Sequence, residues 1–261
     1  MNNLTGASHN LFPIGILVPM EEEIGLLLQQ VKIELEVKIA SRTFYKGTLS
    51  GKEVYLVKSG IGKVASSFTA SLLIHKFGVK SILVTGVAGG IADTLQVGDI
   101  AIARDAVQHD MDCRPLFPQF EIPITGKAYF QSDASLTFLL EKAANQFVAS
   151  EFENQVSLET MLELGIELPV VHVGRLASGD QFIGTYNQWE KLRADVIDTL
   201  FVEMEGAAVA QVCHDSGIPW CSIRTISDKA NAQAHVDFNL FLHKAAKLYT
   251  AGIVKKFIEL F

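Results

Sequence analysis

The chain has 261 residues, of which 49 % are hydrophobic and 20 % charged, a balance that suits one sizeable core and excludes wholesale disorder. The formal net charge is −7 and no basic block stands out. A nucleic-acid partner is therefore not expected, because a phosphate backbone demands clustered lysine and arginine.

Residues 1–12 are polar and predict a mobile tail, without the basic start and apolar stretch of a secretory signal. IGILV (14–18) is a short apolar run of the buried-strand type. A helix is predicted over 21–31, a strand over EVYLVKSG (53–60), and a helix over 63–77. In that last segment apolar positions recur at helical spacing and end at Gly78, a C′ residue. SILVTG (81–86) is a third strand that breaks into the loop VAGG, and GDIAIARDAV (98–107) is a fourth. Residues 108–131 are rich in proline and aromatics and have no period, so they predict a long loop of the kind that forms lids or interface arms. A helix follows over 132–149, then a strand running into a turn over PVVHVGRLASGD (169–180). FVEMEG (201–206) is a short strand leading into a helix over 206–216, PWCSIRTISD (219–228) is a strand with a polar end, and 237–259 is one long amphipathic helix.

Strands interleaved with helices predict an α/β fold around one mostly parallel or mixed sheet. No repeat or linker divides residues 13–261, so they are read as a single domain. No run reaches the ~18 apolar residues that span a bilayer, so no membrane partner is expected. The cysteines Cys113, Cys213 and Cys221 are odd in number and lack CxxC spacing. A reducing, cytoplasmic compartment fits them better than a disulfide framework or a zinc site.

In such sheets ligands bind at the carboxyl ends of strands. Those ends are 19–23, 58–63, 86–90, 178–183, 203–206 and 224–228. SGIGKV (59–64) is not a phosphate loop, because Val57 and Val64 stand where that motif needs glycine and a hydroxyl. GVAGG (86–90) does not fit GxGxxG. His109, Asp110 and Asp112 lie close together, yet nothing completes a metal site around them and a polar loop is the better reading. What remains is a set of strand-end acids, Glu23, Glu203, Glu205 and Asp228, beside small or turn-forming residues. That set suits a neutral, polyhydroxylated ligand with a flat ring: carboxylates accept from sugar hydroxyls, glycine-rich backbone reads base edges, and Phe182 can stack.

MEEE (20–23), SGIGKVAS (59–66), AGG (88–90) with LQVGDI (95–100), SGDQFI (178–183), VEMEGAAVAQVC (202–213) and RTISDKAN (224–231) resemble, in order, the motifs of the bacterial 5′-methylthioadenosine/S-adenosylhomocysteine nucleosidases of the nucleoside phosphorylase superfamily. The likeness runs from about residue 14 to residue 257. It implies a nucleoside phosphorylase-like domain with a central mixed sheet flanked by helices. It also implies a homodimer, no metal or organic cofactor, and hydrolysis of the N-glycosidic bond of 5′-thio-substituted adenosines. Asp228 matches the general acid that protonates adenine N7, and Glu23 the residue that activates water. Glu203 and Glu205 share a face if 201–205 is extended, so pattern leaves both open; the resemblance selects Glu205 as the grip on the ribose hydroxyls. Met204 is expected on the sugar, Phe182 on adenine, the Ile183 backbone at its edge, and Gly89 where backbone approaches the base. Arg224 and Ser227 flank the acid, and Met20, Ile61 and Phe238 match pocket-lining positions.

The sequence departs from the family pattern in three places. Val87 replaces the serine of SAGG. The loop 111–126, expected near a partner's pocket, has Leu116 at the position of the family aromatic and Phe117 one later. Residues 150–170 are longer than usual. Three other readings compete: a phosphate-dependent phosphorylase, a nucleosidase for another adenine nucleoside such as aminofutalosine, and a non-catalytic nucleoside-binding or surface protein of the same fold.

Overall fold

A computed structural model describes residues 11–230 and 234–261. The elements in chain order are β1 (Ile14–Val18), α1 (Glu21–Gln30), β2 (Lys32–Ile39), β3 (Arg42–Leu49), β4 (Lys52–Lys58), α2 (Lys63–His75), β5 (Ser81–Gly90) and β6 (Ile100–Gln108). Then come β7 (Tyr129–Gln131), α3 (Ala134–Ser150), α4 (Phe152–Gln155), α5 (Leu158–Leu164), β8 (Val171–Ser178) and α6 (Tyr186–Asp195). The last are β9 (Thr199–Glu203), α7 (Gly206–Ser216), β10 (Trp220–Asp228), α8 (Ala234–Phe241) and α9 (Lys247–Glu259), with a π-helical turn, Leu242–Ala246, between the final two.

The unbroken apolar runs form the centre. β1 lies between β4 and β5, parallel to both, and every one of its residues is buried. A parallel strand covered on both faces needs apolar side chains in both phases, which is why these runs do not alternate. Ile14, Ile16 and Val18 face one layer with Ile24, Leu140, Tyr249 and Phe257, whereas Leu17 faces the other with Ala70, Leu73, Ala207 and Ala210. Helices α1, α3 and α9 thus cover one face, and α2 and α7 the other.

β5 is the hub. It pairs with β1 over Ser81–Val84, with β10 along its opposite edge, and with β9 at Gly89–Gly90. β10 pairs antiparallel with β6, β6 parallel with β8, and β8 parallel with β9. Strands β5, β10, β6, β8 and β9 therefore close a ring, and β1, β4, β3 and β2 extend from it as an open sheet.

The structure adds a β2–β3 hairpin and the helices α4, α5 and α6 to the elements read from sequence, and it differs from that reading elsewhere. VAGG is not a loop: β5 continues to Gly90, because β10 pairs with Val87–Gly89 and β9 then takes over. The carboxyl-terminal segment is two helices joined by a π turn, not one. The 108–131 stretch ends in β7, which pairs with β6. Of the expected tail, residues 1–10 lie outside the described residues, but Leu11 and Phe12 pack on the core. The Leu11 carbonyl accepts from Ser81 Oγ, and Phe12 meets Phe261 edge-on at 5.0 Å.

Candidate active site

The six strand ends singled out above surround one cavity of about 380 Å³, and all twelve candidate site residues line it. Glu23 is fully buried there although it sits in the first turn of α1. Its Oε2 accepts the Met20 N–H at 3.0 Å, the return half of a capping box. Its Oε1 accepts the Val87 N–H at 2.8 Å. Burial drives the Glu23 carboxyl up to about 7, against the opposing pull of Arg224 and of these two N–H groups. Helix capping and cavity lining are thus one arrangement for this residue. Glu21 by contrast pairs on the surface with Lys58 at 2.6 Å.

Glu203 and Glu205 part company at the end of β9. Glu203 closes the strand, while Glu205 occupies the N-cap position of α7. The Glu203 carboxylate is saturated by the protein: it accepts from Ser178 Oγ, from Arg224 Nη2, and from the N–H groups of Glu205 and Gly206. Glu205 holds fewer partners, the Gly62 N–H on Oε1 at 2.9 Å and Arg224 Nη2 on Oε2 at 3.3 Å. Burial, followed by the neighbouring Glu203 carboxylate, raises the Glu205 carboxyl above its ordinary value. Arg224 is itself fully buried and serves both carboxylates. A Cβ at Gly86 would stand 2.5 Å from Arg224 Nη1 and 2.7 Å from Glu23 Oε1, so glycine there lets both charged groups close over β5.

Asp228 ends β10 just past a bulge, where the register to β5 shifts between Ile226 and Asp228. A bulge re-aims a side chain, and the carboxyl turns toward the cavity floor. Its Oδ1 accepts the Ala230 N–H at 2.8 Å and its Oδ2 accepts from Ser227 Oγ at 2.9 Å. Burial outweighs these bonds and lifts the Asp228 carboxyl to about 6. Opposite it, a Cβ at Gly89 would lie 3.1 Å from Asp228 Oδ1, so the missing side chain keeps that space open. Ile183 is buried in the wall, whereas Phe182 and Ile61 are 44 % and 55 % exposed and mark the mouth. Phe182 meets Phe238 edge-on at 5.7 Å, and Met20 and Met204 complete the apolar lining.

Sequence reasoning left Glu203 as a competitor of Glu205 and did not single out Ser178 or Gln181. Period-two spacing was the available signal for Glu203; Gln181 carried none. The His109–Asp112 cluster lies outside this cavity: Asp110 pairs with Lys63 at 2.5 Å, and Asp112 with Arg114 at 2.5 Å.

Two buried carboxyls raised above their ordinary range, a third carboxylate held by a buried guanidinium, and an aromatic mouth define an α/β enzyme built to split a bond in a small polar substrate. The chain belongs to the Phosphorylase superfamily, whose model matches residues 13–259. It is 34 % identical over 252 residues to a 5′-methylthioadenosine/S-adenosylhomocysteine nucleosidase from Staphylococcus haemolyticus, covering 94 % of this chain and 99 % of that one. Among solved structures it resembles the nucleosidase of the same name from Neisseria meningitidis in complex with methylthio-immucillin-A, at TM-score 0.83 and 30 % identity over 95 % of this chain and 99 % of that one. It also resembles futalosine hydrolase of Helicobacter pylori, at TM-score 0.80 and 34 % identity over 95 % and 97 % of the two chains.

Proposed function

We propose that the protein hydrolyses the N-glycosidic bond of 5′-methylthioadenosine and S-adenosylhomocysteine, releasing adenine and the 5′-thioribose. The observation that carries this reading is the pair Glu23 and Asp228, two buried carboxyls raised toward neutrality on one cavity. Breaking the C1′–N9 bond builds positive charge on the ribose and negative charge on adenine. Asp228 gives its proton to adenine N7, Glu23 takes a proton from the attacking water, and Glu205 holds the ribose hydroxyls. Phe182 stacks on the base, the Ile183 backbone reads its edge, and Met20, Ile61, Met204 and Phe238 enclose the sugar and its 5′ substituent. Ser227 orients Asp228, and Arg224 orients Glu205.

Water rather than phosphate is the second substrate. Among the described residues, the one guanidinium lining the cavity, that of Arg224, is already shared by Glu203 and Glu205. A phosphate dianion would meet carboxylates instead of free cations. A second reading, hydrolysis of an adenine nucleoside with a larger 5′ group such as aminofutalosine, is favoured by the exposed mouth residues Ile61 and Phe182. The test is adenine release by purified protein from 5′-methylthioadenosine, S-adenosylhomocysteine, 5′-deoxyadenosine and aminofutalosine, each with and without phosphate. Release from the first two without phosphate is the expected result, and strict phosphate dependence would overturn the hydrolase.

The working unit is a homodimer in this reading, with loop 111–126 near the partner's pocket. The strongly exposed Leu116 and Ile124 on that loop support it. Sedimentation at micromolar concentration reads the mass, and a monomer at full activity would refute the dimer. The three free thiols fit a reducing cytoplasm, where the products enter methionine salvage.

A further inference from the structure

Three loops meet behind Glu205 and close a ring of hydrogen bonds. The Lys63 N–H, at the head of α2, donates to Asp180 Oδ1 at 2.8 Å. Lys63 Nζ donates to Asp110 Oδ1 at 2.5 Å, and the Asp180 N–H donates to Asp110 Oδ2 at 2.9 Å. The three members follow β4, β6 and β8 respectively. His109, which the sequence grouped with Asp110 and Asp112, seats its ring where a Gly179 side chain would be: a Cβ there would fall 2.3 Å from His109 Nε2. That packing lets the loops after β6 and β8 approach closely.

The ring ends on Gly62. This residue has φ +97°, a conformation that side chains disfavour, and a Cβ on it would stand 3.0 Å from Asp180 Oδ1. Its N–H points at Glu205 Oε1. Gly62 and Lys63 therefore direct two of the free N–H groups at the start of α2, one to the cavity carboxylate and one to the clasp. The Lys63 and Asp110 side chains are only 18 % and 21 % exposed, so solvent screens the pair less than a free surface bridge.

We propose that Lys63, Asp110 and Asp180 are positioning residues that hold the Gly62 N–H on Glu205 and so set how strongly the enzyme demands ribose hydroxyls. This rests on the reading of Glu205 as the ribose grip. None of the three lines the cavity, and the Gly62–Glu205 bond is the hydrogen bond that carries their effect to it.

The test compares kcat and KM for 5′-methylthioadenosine with those for its 2′-deoxy and 3′-deoxy analogues, in the unsubstituted protein and in Lys63→Met, Asp110→Asn, their double variant and Glu205→Gln. Each single clasp variant should lower kcat/KM for the complete ribose about tenfold, while the more affected of the two analogues falls less than about twofold. The double variant should be no worse than the worse single, because both remove the same bond. Equal losses on all three substrates, no loss on any, or additive losses in the double variant would overturn the clasp. Asp110→Asn keeps the side-chain volume and answers the question alone if Lys63→Met fails to fold. If Glu205→Gln loses the discrimination and the clasp variants keep it, only the clasp is wrong. If Glu205→Gln keeps it, the ribose grip is wrong and the clasp falls with it.

Discussion

Glu23 and Val87 are joined across the sheet by a 2.8 Å bond from the Val87 N–H to Glu23 Oε1. The contact uses backbone, not side chain. The residue at 87 therefore tunes the cavity wall without deciding where Glu23 sits. Val87→Ser, which introduces the hydroxyl of the resembled family, should leave Glu23 anchored and change kcat/KM by less than about tenfold. Steady-state kinetics on 5′-methylthioadenosine check this, and a loss as deep as that of Glu23→Gln would contradict it.

Asp228→Asn removes the proton donor and preserves shape. Adenine release should fall at least about 10²-fold. Binding of an uncleaved adenine nucleoside analogue, followed by calorimetry, should stay within about fivefold of wild type. A fully active variant would show that another group protonates the base.

The pH profile of kcat/KM should be bell-shaped. Glu23 must be ionised to accept a proton, so its contribution rises through about 7. Asp228 must be protonated to donate one, so its contribution falls through about 6. The active combination is a minority at every pH, and it is most populated between those two values. A rate that climbs steadily above pH 8 would exclude Asp228 as the acid.

Stability should report Glu23 independently of activity. Its folded value of about 7 lies above the ordinary 4.5. Between those values the folded state holds more protons than the unfolded one, so stability is lost as pH rises and the full penalty applies above about 7. Glu23→Gln cannot ionise. It should melt several degrees above wild type at pH 8, and the difference should vanish near pH 4. A variant that melts lower at pH 8 would mean that the carboxylate stabilises this fold.

Gly86→Ala should damage both properties. The new methyl would intrude on Arg224 Nη1 and Glu23 Oε1, two charged groups with no apolar space to yield. A loss of about 1–3 kcal/mol of stability is expected, together with a fall in kcat. Thermal melts beside kinetics test it.

Asp228 and Glu23 were named from their motifs, and both line the cavity. The distinct bonding of Glu203 and Glu205 was not legible, because both stand at period-two spacing and only the turn out of β9 separates them. The β2–β3 hairpin also escaped notice. β2 is exposed along nearly its whole length and carries no single buried face to read. VAGG read as a loop because glycine is a turn residue. Here the same lack of side chains lets Asp228 and β9 approach β5.

By itself the sequence determined the α/β class, the central strands and the acids at their ends, since apolar runs and local motifs need no distant partner. Tertiary structure decided the closed ring, the saturation of Glu203 and the clasp on Glu205. Each depends on groups far apart in the chain, such as Gly62 and Glu205, 143 residues from each other. Strand pairing brings such groups within hydrogen-bonding reach, and burial then strips away the water that would hold their charges near ordinary values.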